Sequence, residues 1–298
     1  MIGYIIAISS YFFMAVVTVI DKFLMSGKVS DPKKFVFFIG VLTSLVFILI
    51  PFGFFQGITL GSFIWGFLGG ITRMLATWAL FILLQKGDAS RVSTTIGGMV
   101  PLFSLLLTFI FFGLNLTPIF FLAFSLLIIG SLVASFKKGG KISMREVGIS
   151  AISAVLFSAS FIFLKESFLG ANFWASLIAF AFGVAFFSIS LFIFDKKFRE
   201  SLFKKESTEM YKKVGLLFLV GQLLGAGAGI LQNLSIHMVP AKNIALVNAL
   251  EGSKYAFIFI MALLLSTKFP KIFRRENSLQ KIVSIIIIII GMYFVFKL

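Results

Sequence analysis

Long apolar runs separated by short polar connectors dominate the chain. Ten such runs stand at residues 2–20, 35–55, 60–84, 91–112, 117–136, 146–167, 171–194, 213–234, 241–265 and 280–297. Each is close to the ~20 apolar residues a helix needs to cross the hydrocarbon core of a bilayer. A membrane β-barrel would show segments of about ten residues with alternating polarity instead. The runs therefore predict spanning helices, numbered here as spans 1 to 10. Nothing basic precedes the first run and no small-residue cleavage site follows it, so it is expected to stay as a helix rather than to act as a signal peptide.

The pattern repeats. Span 1 ends Val19-Ile20-Asp21-Lys22-Phe23-Leu24-Met25, and span 6 ends Phe163-Leu164-Lys165-Glu166-Ser167-Phe168-Leu169, 143 residues on. Gly87-Asp88-Ala89-Ser90-Arg91-Val92 stands opposite Met238-Val239-Pro240-Ala241-Lys242-Asn243 at an offset of 151. Two halves with an odd number of spans each would sit in the membrane in opposite senses, which is the layout of many alternating-access transporters. The expected fold is an all-α polytopic membrane protein of ten transmembrane helices in two inverted-topology five-helix repeats. Residues 1–136 form the first repeat, 137–145 a basic linker around Lys137-Lys138-Gly139-Gly140-Lys141, and 146–298 the second. Short links at 55–59 and 113–117 make spans 2 and 3, and spans 4 and 5, antiparallel neighbours.

Composition supports a membrane protein and narrows its chemistry. Residues are 59% hydrophobic and only 13% charged, with mean hydropathy +1.08, leaving too little polar surface to cover a soluble core. The formal charge of +16 invites a nucleic-acid reading, but the cations are one-sided. Of 27 Lys and Arg residues, 22 lie in or at the edges of the connectors after spans 1, 3, 5, 7 and 9. The connectors after spans 2 and 4 hold none. That bias marks five cytoplasmic connectors with both termini outside, and it points to anionic lipid rather than nucleic acid as the partner of the basic loops. The connector 195–213 places Phe198, Leu202 and Phe203 at helical spacing, as an interfacial amphipathic helix would; a solvated basic loop is the other reading. The chain has no cysteine, so disulfides, thiolate metal sites and cysteine nucleophiles are excluded.

Charges inside the spans are where function is expected, because an ionised group near the bilayer centre costs roughly 2.5 to 3.5 kcal/mol on insertion scales. Those that fall well inside the predicted spans are Arg73 in span 3 and Glu251 and Lys254 in span 9. Glu251 and Lys254, three apart, can pair on one helical face, and Arg73 can reach Glu251 only if spans 3 and 9 adjoin. A buried pair that fixes packing is the alternative to a substrate or coupling-ion path. Uncharged polar residues share faces on the same spans: Gln222, Gly225, Gly229 and Asn233 in span 8, and Asn248, Glu251 and Tyr255 in span 9. Thr77, Ser90, Thr94 and Thr95 add hydroxyls, and Ser10, Met14 and Ser158 are further candidates. Pro101, after Gly97-Gly98, removes a backbone hydrogen bond from span 4, and Gly252 stands at the same place in the second half, so both are expected hinges. Gly66 and Gly70 in span 3, and Gly221, Gly225 and Gly229 in span 8, are spaced for close helix packing. The six isoleucines Ile285 to Ile290 read as lipid-facing or partner-facing surface, and a homodimer is among the expected partners. His237, the single histidine, reads as an interfacial bystander or a proton relay. No His and carboxylate cluster has metal-ligand spacing and no phosphate-binding loop is present, so neither a metal, a cofactor nor ATP is expected.

Ten spans in two halves, Lys22 and Lys165 near the ends of spans 1 and 6, and Gly87-Asp88-Ala89-Ser90-Arg91-Val92 leading to Met99-Val100-Pro101-Leu102-Phe103 resemble the drug/metabolite transporter superfamily, EamA type. The resemblance covers essentially the whole chain. It implies export or exchange of small metabolites such as amino acids through a central cavity lined by spans 1, 3, 4, 6, 8 and 9. Two features depart from it: family members carry Gly-Glu after spans 4 and 9, where this chain has Phe112-Gly113-Leu114-Asn115 and Ser266-Thr267-Lys268, and they keep both termini in the cytoplasm.

The expectation is a secondary transporter, not an enzyme, in a prokaryotic plasma or inner membrane, moving a small polar or amphipathic solute. Glu251 would bind a substrate cation or proton and Arg73 a substrate anion, while Gln222 and Asn248 would set specificity. The alternatives are a membrane interaction protein without transport, and an intramembrane enzyme on a lipid-linked substrate with Glu251 and His237 as acid and base.

Overall fold

The computed structural model describes residues 1–24, 32–86, 89–113, 117–135, 144–202, 208–266 and 278–298, and all regular structure among them is helical. In order, α1 is Ile2–Leu24, α2 Pro32–Thr43, α3 Leu60–Lys86, α4 Ala89–Phe112, α5 Pro118–Ser135, α6 Met144–Gly170, α7 Phe173–Phe194, α8 Lys196–Leu202, α9 Thr208–Met238, α10 Ile244–Ala249, α11 Gly252–Ser266 and α12 Ser278–Val295. Six stretches are long and apolar enough to cross a membrane: Ile2–Ile20, Leu60–Leu83, Thr95–Phe112, Met144–Gly170, Phe173–Phe194 and Ala241–Leu265. Val36–Phe52, Pro118–Ala134 and Leu279–Val295 are shorter apolar helices. The protein is a polytopic helical membrane protein.

Two spans differ from a plain α-helix. Span 2 leaves α2 for a 3₁₀ turn over Ser44–Phe52 with Pro51 inside it. Proline cannot donate the next helical bond, and Gly53, at φ +84°, ends the element in the left-handed region open to glycine. Span 9 breaks at Leu250–Glu251, between α10 and α11. The connector after span 7 does form a helix, the short α8. Its Phe198 is 2% exposed and packs edge-on to Phe37 of α2, centroids 5.6 Å apart, so this ring is spent on protein rather than lipid. The side chains of Lys22, Ser90 and Thr94, and the connectors at 87–88 and 136–143, lie outside the described residues.

The helices form two compact units, and neither follows a sequence half. One comprises Met1–Lys28, Gly113–Gly140 and Ser207–Leu298; the other comprises Val29–Phe112 and Lys141–Glu206. In the first, α1 packs on α9 and α11, and α5 on α10, α11 and α12. In the second, α6 packs on α3 and α4, and α7 on α2 and α3.

Glycine sets the closest approach in the second unit. A Cβ on Gly70 would strike the Phe180 carbonyl, and one on Gly183 the Phe67 carbonyl, so α3 and α7 cross backbone to backbone. Gly66 of the same row meets Ala179 and Ser167. In the first unit Gly221 and Gly225 face Ile20 and Val17 of α1, whereas Gly227 and Gly229 face open space.

Candidate functional site

In the first unit the polar residues gather around the break in span 9. At the break the hydrogen bonds shorten to three-residue steps: Glu251 N–H donates to the Asn248 carbonyl at 3.1 Å, Ser253 to Leu250 at 2.9 Å and Lys254 to Glu251 at 3.0 Å. In a continuous helix the Glu251 amide would bond Val247 instead. The Val247 carbonyl, so released, accepts the Tyr11 hydroxyl of α1 at 3.0 Å. Gln232 of α9 donates to the same hydroxyl at 3.4 Å. One tyrosine therefore links α1, α9 and the broken span, with its ring 1% exposed.

Glu251 sits at the break and Lys254 in the first turn of α11, with Nζ 3.8 Å from Oε1 and both side chains half-buried. Tyr255, half-buried one turn on, interacts electrostatically with Glu251 and Tyr11. Asn248 is buried one turn before Glu251, at 1% exposure. Gly252 is the contact point of α11 with α5, where a Cβ would run into the Ser131 hydroxyl. Ser10 donates across to the Ala228 carbonyl at 2.8 Å. Asn233 Oδ1 and Ser235 Oγ of α9 are buried without a hydrogen-bond partner among the described residues, a state that in native proteins calls for water or a ligand. Gln222 is half-buried on α9, ten residues from Gln232 and so ~15 Å along the helix. Tyr4 receives the Asn243 side-chain amide at 2.9 Å, and His237 is half-buried in the last turn of α9.

The second unit holds the remaining candidates. The Arg73 guanidinium of α3 lies over the rings of Phe161 and Phe157 of α6, 4.4 and 5.5 Å from their centroids. Such stacking stabilises a desolvated cation against the negative ring face. Thr77 is turned back onto the Arg73 carbonyl at 2.8 Å, and Thr95 is half-buried on α4. The helix α4 runs through Pro101, and Ser158 of α6 donates to the Val100 carbonyl beside it at 2.9 Å. Ser153 and Ser160 of α6 donate to Ala76 and Gly69 of α3 at 2.9 and 2.8 Å. Lys165 is buried at 4% exposure. Arg73 thus belongs to one unit and Glu251 to the other.

Sequence reasoning passed over Tyr11 and Gln232 as site residues. Tyr11 stands next to Ser10 in an apolar helix, and the signal available was its phenol: a buried hydroxyl in hydrocarbon requires an acceptor.

Together these features define a multi-pass helical membrane protein with buried polar residues within each unit. Residues 1–136 match the model of the EamA-like transporter family, the type that the sequence resembles, so this part of the chain is similar to that family. A solved chain described only as "Crystal structure of protein" is 17% identical and superposes with a TM-score of 0.67 over 99% of this chain and 95% of its own. The fold is therefore shared over nearly the full length of both. No curated protein matches the sequence.

Proposed function

We propose that the protein is a secondary transporter, an exporter or exchanger of small polar or amphipathic metabolites such as amino acids, working by alternating access between two inverted five-helix halves. The observation that carries this reading is the break in span 9 at Glu251. Discontinuous helices in transporters mark midplane sites, because a broken helix frees backbone groups and a helix end for a solute. Glu251 binds a substrate cation or a proton, Arg73 a substrate anion, and Gln222 and Asn248 supply hydrogen bonds. Thr77, Thr94, Thr95, Tyr255, Ser10 and Ser158 are the further candidates for solute contact, and Pro101 and Gly252 the candidate hinges.

Helix pairing supports the inverted repeat. Span 6 packs on spans 3 and 4, and span 1 packs on spans 8 and 9, which are their counterparts in the other half. Hydroxyls follow suit: Ser158 of span 6 bonds a carbonyl of span 4 beside Pro101, and Tyr11 of span 1 bonds a carbonyl of span 9 at its break. Each half lends its first helix to the third and fourth helices of the other. The ion pair of Lys33, before span 2, with Asp195, after span 7, joins two of the basic connectors and supports placing them on the same side of the membrane.

The test is a metabolite panel screened by thermal stabilisation of the purified protein. A true substrate stabilises the wild type but neither Glu251→Gln nor Arg73→Ala, both shown to be folded. Equal stabilisation of all three would remove these residues from the site.

A further inference from the structure

The second unit carries an open groove of about 350 Å³ lined by Trp78 of α3 and by Phe187, Ser190, Leu191, Phe194 and Asp195 at the end of α7. Its walls are largely apolar. Trp78 meets Phe187 edge to face, centroids 6.1 Å apart, and Phe194 is 85% exposed. Its mouth is basic. Asp195, where the groove ends, is paired with Lys33 and accepts the Phe198 amide at 2.9 Å, opening α8. Arg199 turns back toward the Phe192 and Ile193 carbonyls at 3.4 Å, covering the last turn of α7. Lys196 and Lys197 remain exposed, with Glu200 4.0 Å from Lys196. Five cations (Lys33, Lys34, Lys196, Lys197 and Arg199) against Asp195 and Glu200 leave this end net positive.

In a bilayer the wall of an apolar span meets hydrocarbon, not water, so an acyl chain is the natural filler of such a groove. A chain entering from the α8 end brings its headgroup to the lysines. We propose that this groove is a binding site for an anionic phospholipid, with one acyl chain along Trp78 and Phe187 to Phe194 and the phosphate against Lys196 and Lys197. The tail contacts are common to every phospholipid, and selectivity comes from the headgroup. A choline headgroup would set its own cation among the lysines. A glycerol headgroup leaves the lipid with net negative charge to meet them. Burial of Phe198 against Phe37 fixes α8, so the lysines stand at the mouth before the lipid arrives.

Trp78 reports the test. The variant Trp65→Phe/Trp174→Phe, retaining Trp78, is reconstituted in vesicles containing equal fractions of lipid with brominated acyl chains, as phosphatidylglycerol or as phosphatidylcholine. Brominated phosphatidylglycerol is expected to quench Trp78 with an apparent affinity higher by about fivefold for each cation engaged. Adding the surface substitutions Lys196→Gln and Lys197→Gln should abolish that preference. The control retains Trp174 alone, at the opposite end of α7 and ~20 Å along the helix from Phe187, and should show no preference. Equal quenching of Trp78 by both lipids, or the same preference at Trp174, overturns the proposal. So does a preference that survives neutralisation of both lysines, or one reproduced by competing inorganic phosphate instead of lipid.

Discussion

At the scale of single residues, Tyr11 decides how the interior of the first unit holds together. Its hydroxyl takes the carbonyl that the break at Glu251 releases, and a buried carbonyl left without that donor loses its hydrogen bond. The variant Tyr11→Phe is expected to lower stability by about 1 kcal/mol, the scale of hydrogen bonds between membrane helices, measured by reversible unfolding in detergent; an unchanged midpoint would show the bond to be idle. Glu251 and Lys254 are unequal partners. Both lie at the amino end of α11, where the helix dipole favours an anion and disfavours a cation, so the carboxylate is the better anchored of the two. Outside the spans, Asp195 has its pKa lowered, first by the Lys33 hydrogen bond and then by the Phe198 amide. A depressed carboxylate pKa contributes stability above the ordinary carboxylate value, lost as pH falls through the folded value. Acid unfolding should therefore lose a component in Asp195→Asn, read as a smaller drop in midpoint below about pH 4.

At the scale of helices, glycine spacing serves two ends. Gly70 and Gly183 let α3 and α7 touch through their backbones, and a valine at either must push them apart. Overpacking costs about 1 to 3 kcal/mol, or more where backbone is struck, so Gly70→Val and Gly183→Val should sharply reduce the yield of monodisperse protein on size exclusion. Gly227→Ala, facing open space, should be neutral or gain up to about 1 kcal/mol of helix propensity. The apolar runs were legible as helices because a membrane span has to satisfy its backbone within itself. The special turns were less so. Gly252 lies just past the break in span 9, but the break begins at Leu250, which has no sequence signature, and the carbonyl it frees is met by Tyr11 from 236 residues away. Phe198 read equally well as a lipid anchor until α2 supplied Phe37. Periodicity shows which face is apolar, not what covers it.

At the scale of the molecule, the five-plus-five division of the sequence and the two compact units are different partitions. Spans 1 and 5 fold with 8, 9 and 10, and spans 6 and 7 with 2, 3 and 4. No reading of apolar runs shows this exchange, since it lies in pairing rather than in pattern. It predicts that 1–136 and 146–298 expressed separately each fail to fold, whereas co-expression yields an assembled protein that co-purifies; an independently folded 1–136 would contradict it. Orientation is tested by single cysteines in this cysteine-free chain. Ser201→Cys should be inaccessible to an impermeant reagent outside intact cells and Asn115→Cys accessible; the reverse would turn the molecule over.

The claim that Glu251 at the broken span is the transport site is tested most directly by counterflow in proteoliposomes, with a solute first shown to stabilise the purified protein. Wild type should accumulate the labelled solute against its unlabelled pool. Glu251→Gln, equally folded and reconstituted, should fall to about one-tenth of that rate, as expected when a charge-assisted contact worth ~1.5 kcal/mol or more is removed. Equal counterflow by the two proteins would contradict the assignment.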